Sequence, residues 1–136
     1  MRSRGLRFAG YAARFDRIDN GGDIVRPGAF RAAIEKAREI PLLWQHKTGA
    51  VVGKIEQVRE DARGLRVIGR IEERGLGQDV AGLVRSRRLD GLSFGYRVQK
   101  SRKLDGVREL VALDLVEVSL VSNPMQPLAR IHAVEG

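Results

Sequence analysis

The chain has 136 residues, of which 43% are hydrophobic and 31% are charged, and its formal net charge is +8. These values suit a single compact domain over residues 1–136 and exclude an intrinsically disordered chain. No apolar stretch approaches the ~18 residues of a membrane-spanning helix, and no secretory signal pattern is present, so neither a membrane nor export is expected. The sequence contains no cysteine, which excludes disulfides, thiolate ligands and a thiol nucleophile and fits a cytoplasmic protein.

The first half of the chain predicts strands joined by short turns, with one helix. Alternating or continuous apolar residues indicate the strands, and the Asn-Gly-Gly run indicates a loop because glycine adopts positive φ at little cost. Pro27 near the start and Pro41 after the end delimit the helix. In chain order we expect a strand at 6–16, a loop at 17–23, a helix at 27–40, a strand, a glycine turn and a strand within 41–61, and a strand at 64–73.

The second half predicts one more helix and a long hairpin. Leu76, Val80, Leu83 and Val84 form an apolar stripe in a helix over 75–90, which ends in arginines that suit the helix dipole. Alternation predicts a strand over 92–100, a turn at 104–106, a β-rich run over 107–122 and a short tail after it. The expected fold class is therefore mostly β (α+β), a small closed antiparallel β-barrel flanked by two or more helices.

The acidic loop near the start of the chain does not predict a metal site. Asp16, Asp19, Asn20 and Asp23 lack the alternating ligand spacing and the closing glutamate of a calcium loop. We therefore predict neither a metal nor another cofactor.

The segment LDGLSFGY, residues 89–96, contains Gly91, Ser93 and Gly95 in the pattern G-x-S-x-G. In α/β-hydrolases this serine lies on a sharp turn between a strand and a helix, and an acid and then a histidine follow it in the chain. Here a helix precedes the motif and Ser93 enters a strand. The only later histidine is His132, in the predicted tail. The α/β-hydrolase interpretation therefore fails, although Ser93 remains a candidate nucleophile.

His46 is the other histidine, and it follows the apolar segment PLLW next to Trp44. An isolated histidine at the end of a strand most often has no chemical role. An imidazole on a rigid element, partly shielded from water, can however take a proton from a hydroxyl and return it to a leaving amine. His46 is therefore the candidate base for Ser93.

A third group of a catalytic triad would be a carboxylate that holds the histidine tautomer. Asp114 and Glu117 lie in the segment LDLVEVSLV and face opposite sides of the predicted strand. Both faces are largely apolar, so the strand should be buried on both sides, where an unpaired carboxylate is costly. Periodicity does not choose between Asp114 and Glu117.

Four motifs together resemble the prohead (capsid-maturation) serine proteases of tailed phages and related gene transfer agents. They are DNGGDIVRPGAF (19–30), PLLWQH (41–46), DGLSFGY (90–96) and LVEVSLVSNPMQPLA (115–129). The resemblance extends from about residue 8 to residue 129, in the order and approximate spacing of the family. Each motif alone is weak, whereas four in sequence are specific.

The resemblance implies a fold like that of the herpesvirus assembly proteases, which is a small β-barrel surrounded by helices. It also implies a serine endopeptidase with His46, Ser93 and Glu117 as its triad, and it favours Glu117 over Asp114. The implied substrates are the major capsid protein, its scaffold segment and the protease itself. The implied location is the assembling procapsid in the host cytoplasm, and the implied active state, by analogy, is a homodimer.

Two other functions fit parts of the sequence. The charge of +8, with RSRR at 85–88 and KSRK at 100–103, is typical of a nucleic-acid-binding barrel, but only 5% of residues are aromatic, which is few for base stacking. A catalytically silent assembly protein would share the fold, although the joint presence of His46, Ser93 and an acid argues against it. In a protease, the basic residues Arg85, Arg87 and Arg88 would attract acidic scaffold segments or make a weak contact with DNA.

Overall fold

The structure is a computed structural model that describes residues 5–36 and 38–135. Within these ranges the chain forms one eight-stranded sheet and two helices. In chain order the elements are β1 (Gly5–Arg14), β2 (Asp23–Val25), α1 (Arg31–Glu35), β3 (Ile40–Trp44), β4 (Lys47–Glu60), β5 (Gly64–Glu72), α2 (Leu76–Arg85), β6 (Gly91–Leu104), β7 (Val107–Val121) and β8 (Ile131–Glu135).

Strand β7 is at the centre of the fold. β6 pairs antiparallel with it along nearly its whole length, and β2 and β3 pair with it in parallel at residues 108–110 and 118–120. Because β6 occupies one edge of β7, β2 and β3 must share the other edge. The sheet then continues through β4, β5 and β1 to β8, all antiparallel. A mostly β fold with two helices is confirmed, but two of its strand pairs are parallel.

The predicted closure into a barrel is wrong, since the path of paired strands ends at β8 in the described part of the chain. Between β6 and the start of β8, the described residues form only an isolated bridge of Gly91 with Arg130, flanked by backbone hydrogen bonds to Ala129 and from Ile131. Residues 122–130 run mainly as bends and turns. Pro124 and Pro127 in this segment have no N–H to donate to a ladder.

The core is one cluster of buried apolar side chains. The strands and α2 contribute to it, and α1 packs against it. Phe8, Phe30, Leu42, Leu92 and Leu120 are each 2% exposed or less. The rings of Phe30 and Phe94 meet edge to face at 5.3 Å, which is a favourable aromatic geometry. All residues from 117 to 121 are buried, so the prediction that this strand is covered on both sides is confirmed.

Both helices are shorter than the sequence pattern predicts. The predicted helix 27–40 contains only α1, because residues 27–30 form a turn with Gly28 at φ +91° and Ile40 already belongs to β3. Residue 37 of that prediction lies outside the described residues. In α2 the buried stripe is Gly77, Val80, Ala81 and Val84, whereas Leu76 is 42% exposed. In the described ranges no helix is long and apolar enough to span a membrane.

Three connections also differ from prediction. The turn between β3 and β4 falls at Gln45 and His46, neither of them a glycine, whereas a glycine turn was expected within 41–61. The short strand β2 lies at the end of the predicted loop. The predicted tail contains β8, which pairs with β1. By contrast, the predicted turn between the long strands is confirmed, with Asp105 and Gly106 both at positive φ.

Candidate active site

Ser93 lies on β6 where that strand is buried. Alternation of side chains along the strand puts Gly91, Ser93 and Gly95 on one face. In the ladder with β7, Ser93 is opposite Ser119 and Gly95 is opposite Glu117. Ser93 is 8% exposed, so its hydroxyl is largely removed from bulk water.

His46 occupies the second position of the two-residue turn between β3 and β4. Gln45 has φ +52° and His46 has φ +60°, and Trp44 pairs with Lys47 across the turn. Positive φ at both central positions defines the mirror-image turn that suits the twist of a hairpin. The prediction that His46 ends a strand before a turn is therefore wrong in detail, because the histidine is part of the turn.

Hydrogen bonds to β7 and its end hold this turn against the sheet. The Gln45 N–H donates to the Leu120 carbonyl at 2.9 Å, and the His46 N–H donates to the Ser119 hydroxyl at 3.1 Å. The Gln45 side chain also donates to Ser122 Oγ and accepts from the Ser122 N–H, at 2.8 and 3.2 Å. The turn therefore has a defined position despite its exposure.

Glu117 connects the histidine to the interior of the fold. Its Oε1 is 2.6 Å from His46 Nδ1, and its Oε2 accepts a hydrogen bond from Ser119 Oγ at 2.7 Å. Glu117 is 7% exposed, whereas the His46 side chain is 43% exposed. The hydrogen bond to Glu117 raises the pKa of His46 above its ordinary value, against the opposing effect of partial burial.

Asp114, the other candidate acid, lies in a different environment. It is 7% exposed and forms ion pairs with Lys36 at 3.6 Å and Arg38 at 3.7 Å. Among the described residues it makes no contact with His46. The geometry therefore favours Glu117 as the partner of the histidine.

Gly95 has no side chain, and the Glu117 carboxylate occupies the space where a side chain would begin. A Cβ atom at Gly95 would lie 2.3 Å from Glu117 Oε1 and 2.8 Å from its Cγ. The carboxylate would have to move, although it is hydrogen bonded at both oxygens. The second glycine of G-x-S-x-G is thus explained by this packing and not by a turn.

A cleft of about 120 Å³ brings Ser93 and His46 together. Its lining is otherwise mostly apolar or neutral, and the lining residues are Ala12, Asp19, His46, Leu92, Ser93, Phe94, Tyr96, Met125 and Gln126. No hydrogen bond joins Ser93 to His46 in the described structure. Such catalytic hydrogen bonds are often long without substrate. The cleft presents a hydroxyl and an imidazole to the same space, with a buried carboxylate behind the imidazole.

The segment after β7 forms one wall of this cleft. The side chain of Gln126, which is 5% exposed, accepts from the Arg14 N–H at 2.5 Å and donates to the Arg14 carbonyl at 3.2 Å. The Met125 carbonyl accepts a hydrogen bond from the Asn20 N–H at 3.0 Å. These contacts attach the wall to β1 and to the 17–22 loop.

Two larger cavities, of about 270 and 260 Å³, lie away from Ser93. One is lined mainly by β1 and β8, and the other by the end of α2 and by β8. His132 lines the second cavity, and its ring is 5.8 Å from that of Tyr11. His132 does not line the Ser93 cleft, in agreement with its exclusion as a base.

The structure thus brings all three predicted residues to one place, and it adds residues that the sequence did not single out. Ser119 and Gln45 hold the histidine turn, and Gly95 makes room for Glu117. The only sequence signal for Ser119 is that it is one of the few polar residues on a strand that is largely apolar on both faces. No local pattern identifies Gln45.

Solved structures show the class of fold. The bacteriophage T4 capsid assembly protease aligns over 86% of this chain and 81% of its own, with 13% identity and a TM-score of 0.71. A KSHV protease, solved with a hexapeptide phosphonate inhibitor, aligns over 98% of this chain and 66% of its own, with 14% identity and a TM-score of 0.68. The fold therefore resembles that of the herpesvirus proteases, as predicted.

Sequence comparison identifies the family. The model of the caudovirus prohead serine protease family matches residues 2–136. The prohead protease of Enterobacteria phage HK97 is 35% identical over 96 residues, which cover 68% of this chain and 43% of that relative. The chain belongs to the caudovirus prohead serine protease family, and it matches less than half the length of this relative. The family resemblance inferred from the four motifs is confirmed.

Proposed function

We propose that this protein is a serine endopeptidase of capsid maturation, with Ser93 as nucleophile, His46 as general base and Glu117 as the acid that orients the histidine. The observation that carries the proposal is the 2.6 Å contact of His46 Nδ1 with Glu117 Oε1, in a histidine that shares a cleft with Ser93. Membership of the prohead serine protease family supports the same reaction class.

The geometry fits an acyl-enzyme mechanism. Nδ1 of His46 donates its hydrogen to Glu117, so Nε2 is the nitrogen left to accept the proton of Ser93. Ser93 Oγ then attacks the substrate carbonyl, and His46 later donates the proton to the leaving amine. The buried carboxylate stabilises the imidazolium that forms between these steps. Its effect is strong because Glu117 is 7% exposed, so that little water screens its charge.

The proposed substrates are the major capsid protein, its scaffold segment and the protease itself, within an assembling procapsid in the host cytoplasm. This proposal rests on the family and on the HK97 relative, which is a prohead protease. We also propose a homodimer as the active state, by analogy with proteases of this fold. A weak contact with nucleic acid would use the net charge of +8.

The test is co-expression with the major capsid protein that we propose as its substrate, followed by intact mass spectrometry. We expect the wild type to shorten the capsid protein or itself at one defined bond and Ser93→Ala to leave both intact. Ser101→Ala is the matched control, because Ser101 is an exposed serine on the same strand β6. Ser101→Ala should cleave like the wild type.

Two outcomes would contradict the proposal. If Ser93→Ala cleaves as fast as wild type, Ser93 is not the nucleophile. If neither form cleaves while both join the capsid assembly, the chain is a silent assembly protein of the same fold.

A further inference from the structure

Ser119 contacts both the carboxylate and the turn of the proposed site. Its hydroxyl donates to Glu117 Oε2 at 2.7 Å and accepts the His46 N–H at 3.1 Å. Ser119 is 0% exposed, and it is directly opposite Ser93 in the ladder of β6 and β7. One side chain therefore touches the backbone of the proposed base and the carboxylate that binds the imidazole of that base.

The backbone at His46 needs such support. Left-handed φ is disfavoured for residues with a Cβ, and here two consecutive residues, Gln45 and His46, adopt it. Strained backbone of this kind persists only where surrounding contacts determine it. The His46 N–H donates to the Ser119 hydroxyl, so this hydrogen bond acts on the backbone of the histidine itself.

The other attachments of the turn are made by Gln45, through its N–H to the Leu120 carbonyl and through its side chain to Ser122. The hydrogen bonds between Gln45 and Ser122 are exposed, and water can replace either partner there. At Ser119 the site is closed, so loss of the hydroxyl would leave a carboxylate oxygen and an N–H without that partner. Of the two side-chain contacts that hold the turn, the buried one at Ser119 is therefore the harder to replace.

We propose that Ser119 is a positioning residue that fixes the Glu117 carboxylate and the His46 turn relative to each other. In that arrangement His46 Nδ1 contacts Glu117 Oε1, and the other side of the imidazole ring faces the Ser93 cleft. This inference rests on the proposed function. It assigns to Ser119 no contact with substrate and no proton transfer, since Ser119 does not line the cleft.

Ser119→Ala tests the role in catalysis. We expect kcat to fall roughly 10- to 100-fold with KM nearly unchanged, because a displaced base slows the chemical step while substrate binding is preserved. Ser119→Thr retains the hydroxyl and should recover most of the activity. Val67→Ala is the control for general destabilisation, since Val67 is 0% exposed on β5 and does not line the cleft.

A spectroscopic measurement makes the test independent of turnover. The sequence contains two histidines, so proton NMR of the imidazole N–H region resolves His46 once His132→Gln removes the other signal. We expect Ser119→Ala to move the Nδ1 proton of His46 upfield and to lower the pKa of His46, because the carboxylate no longer stays in place. Val67→Ala should leave both unchanged.

The outcomes separate this inference from the proposed function. If Ser119→Ala keeps the kcat and the His46 signals of the wild type while Ser93→Ala is inactive, the positioning role is wrong and the protease proposal stands. If Ser93→Ala still cleaves, the proposed function fails, and the NMR comparison in that background still tests the Ser119 contact. Equal losses of activity in Ser119→Ala and Val67→Ala with no change in the signals would also overturn the inference.

Discussion

The two ends of β7 each hold a buried glutamate, and their partners differ. Glu109, near the start of the strand, is 4% exposed and is bound by Arg102 at 2.6 Å and Arg26 at 2.6 Å. Glu117, near the end, is 7% exposed and is bound by His46 and Ser119. Both carboxylates avoid the cost of an unpaired buried charge, but only one has a partner that can lose its proton near neutral pH.

This difference separates the acids paired with permanently charged groups from the one acid that we propose for catalysis. The guanidinium groups beside Glu109 stay charged at all accessible pH values, and their hydrogen bonds, from Arg102 first and Arg26 second, lower the pKa of Glu109. Asp114, between the two glutamates, is likewise paired with Lys36 and Arg38. Burial of an acid is therefore not by itself a functional signal on this strand, whereas pairing with a histidine beside a serine cleft is.

Glu117→Gln should have the largest effect of the four changes that test this contrast. We expect kcat to fall by roughly 10³-fold, because an amide neither stabilises the imidazolium nor selects the tautomer. The pKa of His46 should fall as well, so the activity that remains should rise at a lower pH than in the wild type. A pH profile of peptide cleavage measures both. Asp114→Asn is the matched control and should keep the wild-type profile. Equal losses in the two variants would contradict the assignment.

The same pair predicts a pH dependence of stability. The pKa of His46 is raised in the folded state, so its contribution is fully present below the unfolded pKa and is lost as pH rises through the folded pKa. The difference in Tm between wild type and Glu117→Gln should therefore shrink as pH increases from 6 towards 9, within the range where thermal unfolding is easily measured.

Gly95→Ala should have the next largest effect. The added Cβ would occupy the place of Glu117 Oε1, so the carboxylate must leave His46, and we expect kcat to fall roughly 10- to 100-fold. Gly49→Ala is the matched control, because Gly49 is an exposed strand glycine with open space where a Cβ would lie. Kinetics of the two variants on one peptide measure the difference. Wild-type activity in Gly95→Ala would show that the carboxylate can move without consequence.

Glu109→Gln should affect stability and not catalysis. The lowered pKa of Glu109 means that its ion pairs stabilise the fold above the unfolded pKa and that this contribution is lost as pH falls through the folded pKa. We expect a loss of a few degrees in Tm at pH 7, a smaller loss near pH 3, and an unchanged kcat. Thermal unfolding followed at both pH values tests this. A loss of kcat without a loss of Tm would remove the contrast between the two ends of β7.

The exposed part of the hairpin should give the smallest effect on the protein itself. Residues 97–106 are all exposed, and Lys100 and Lys103 make no ion pair with the described residues. The double change Lys100→Gln and Lys103→Gln should alter stability by less than about 0.5 kcal/mol and leave cleavage of a neutral peptide unchanged. If this surface contacts nucleic acid, DNA affinity and its salt dependence should both decrease. Unchanged DNA binding would exclude this surface.

Sequence patterns accounted for the parts of the fold that depend on local chemistry. The apolar run of β7 predicted burial on both faces, and Asp105-Gly106 predicted the hairpin turn because both positions favour positive φ. The family resemblance brought together His46, Ser93 and Glu117, which residue spacing alone did not achieve. In each case the signal is a property of a few neighbouring residues or of a motif as a whole.

Tertiary structure decided what no local pattern specifies. Local propensity favoured a glycine turn within 41–61, yet the chain turns at Gln45 and His46, where hydrogen bonds with β7 and Ser122 stabilise two non-glycine residues in the left-handed region. The choice between Asp114 and Glu117 likewise depends on which partner each carboxylate meets in space. The sequence by itself determined most of the strands, the long hairpin and the family, but not β2 or β8. Long-range contacts decide the position of His46, the carboxylate that it contacts and the open edges of the sheet, because no short stretch of sequence specifies which residues meet in space.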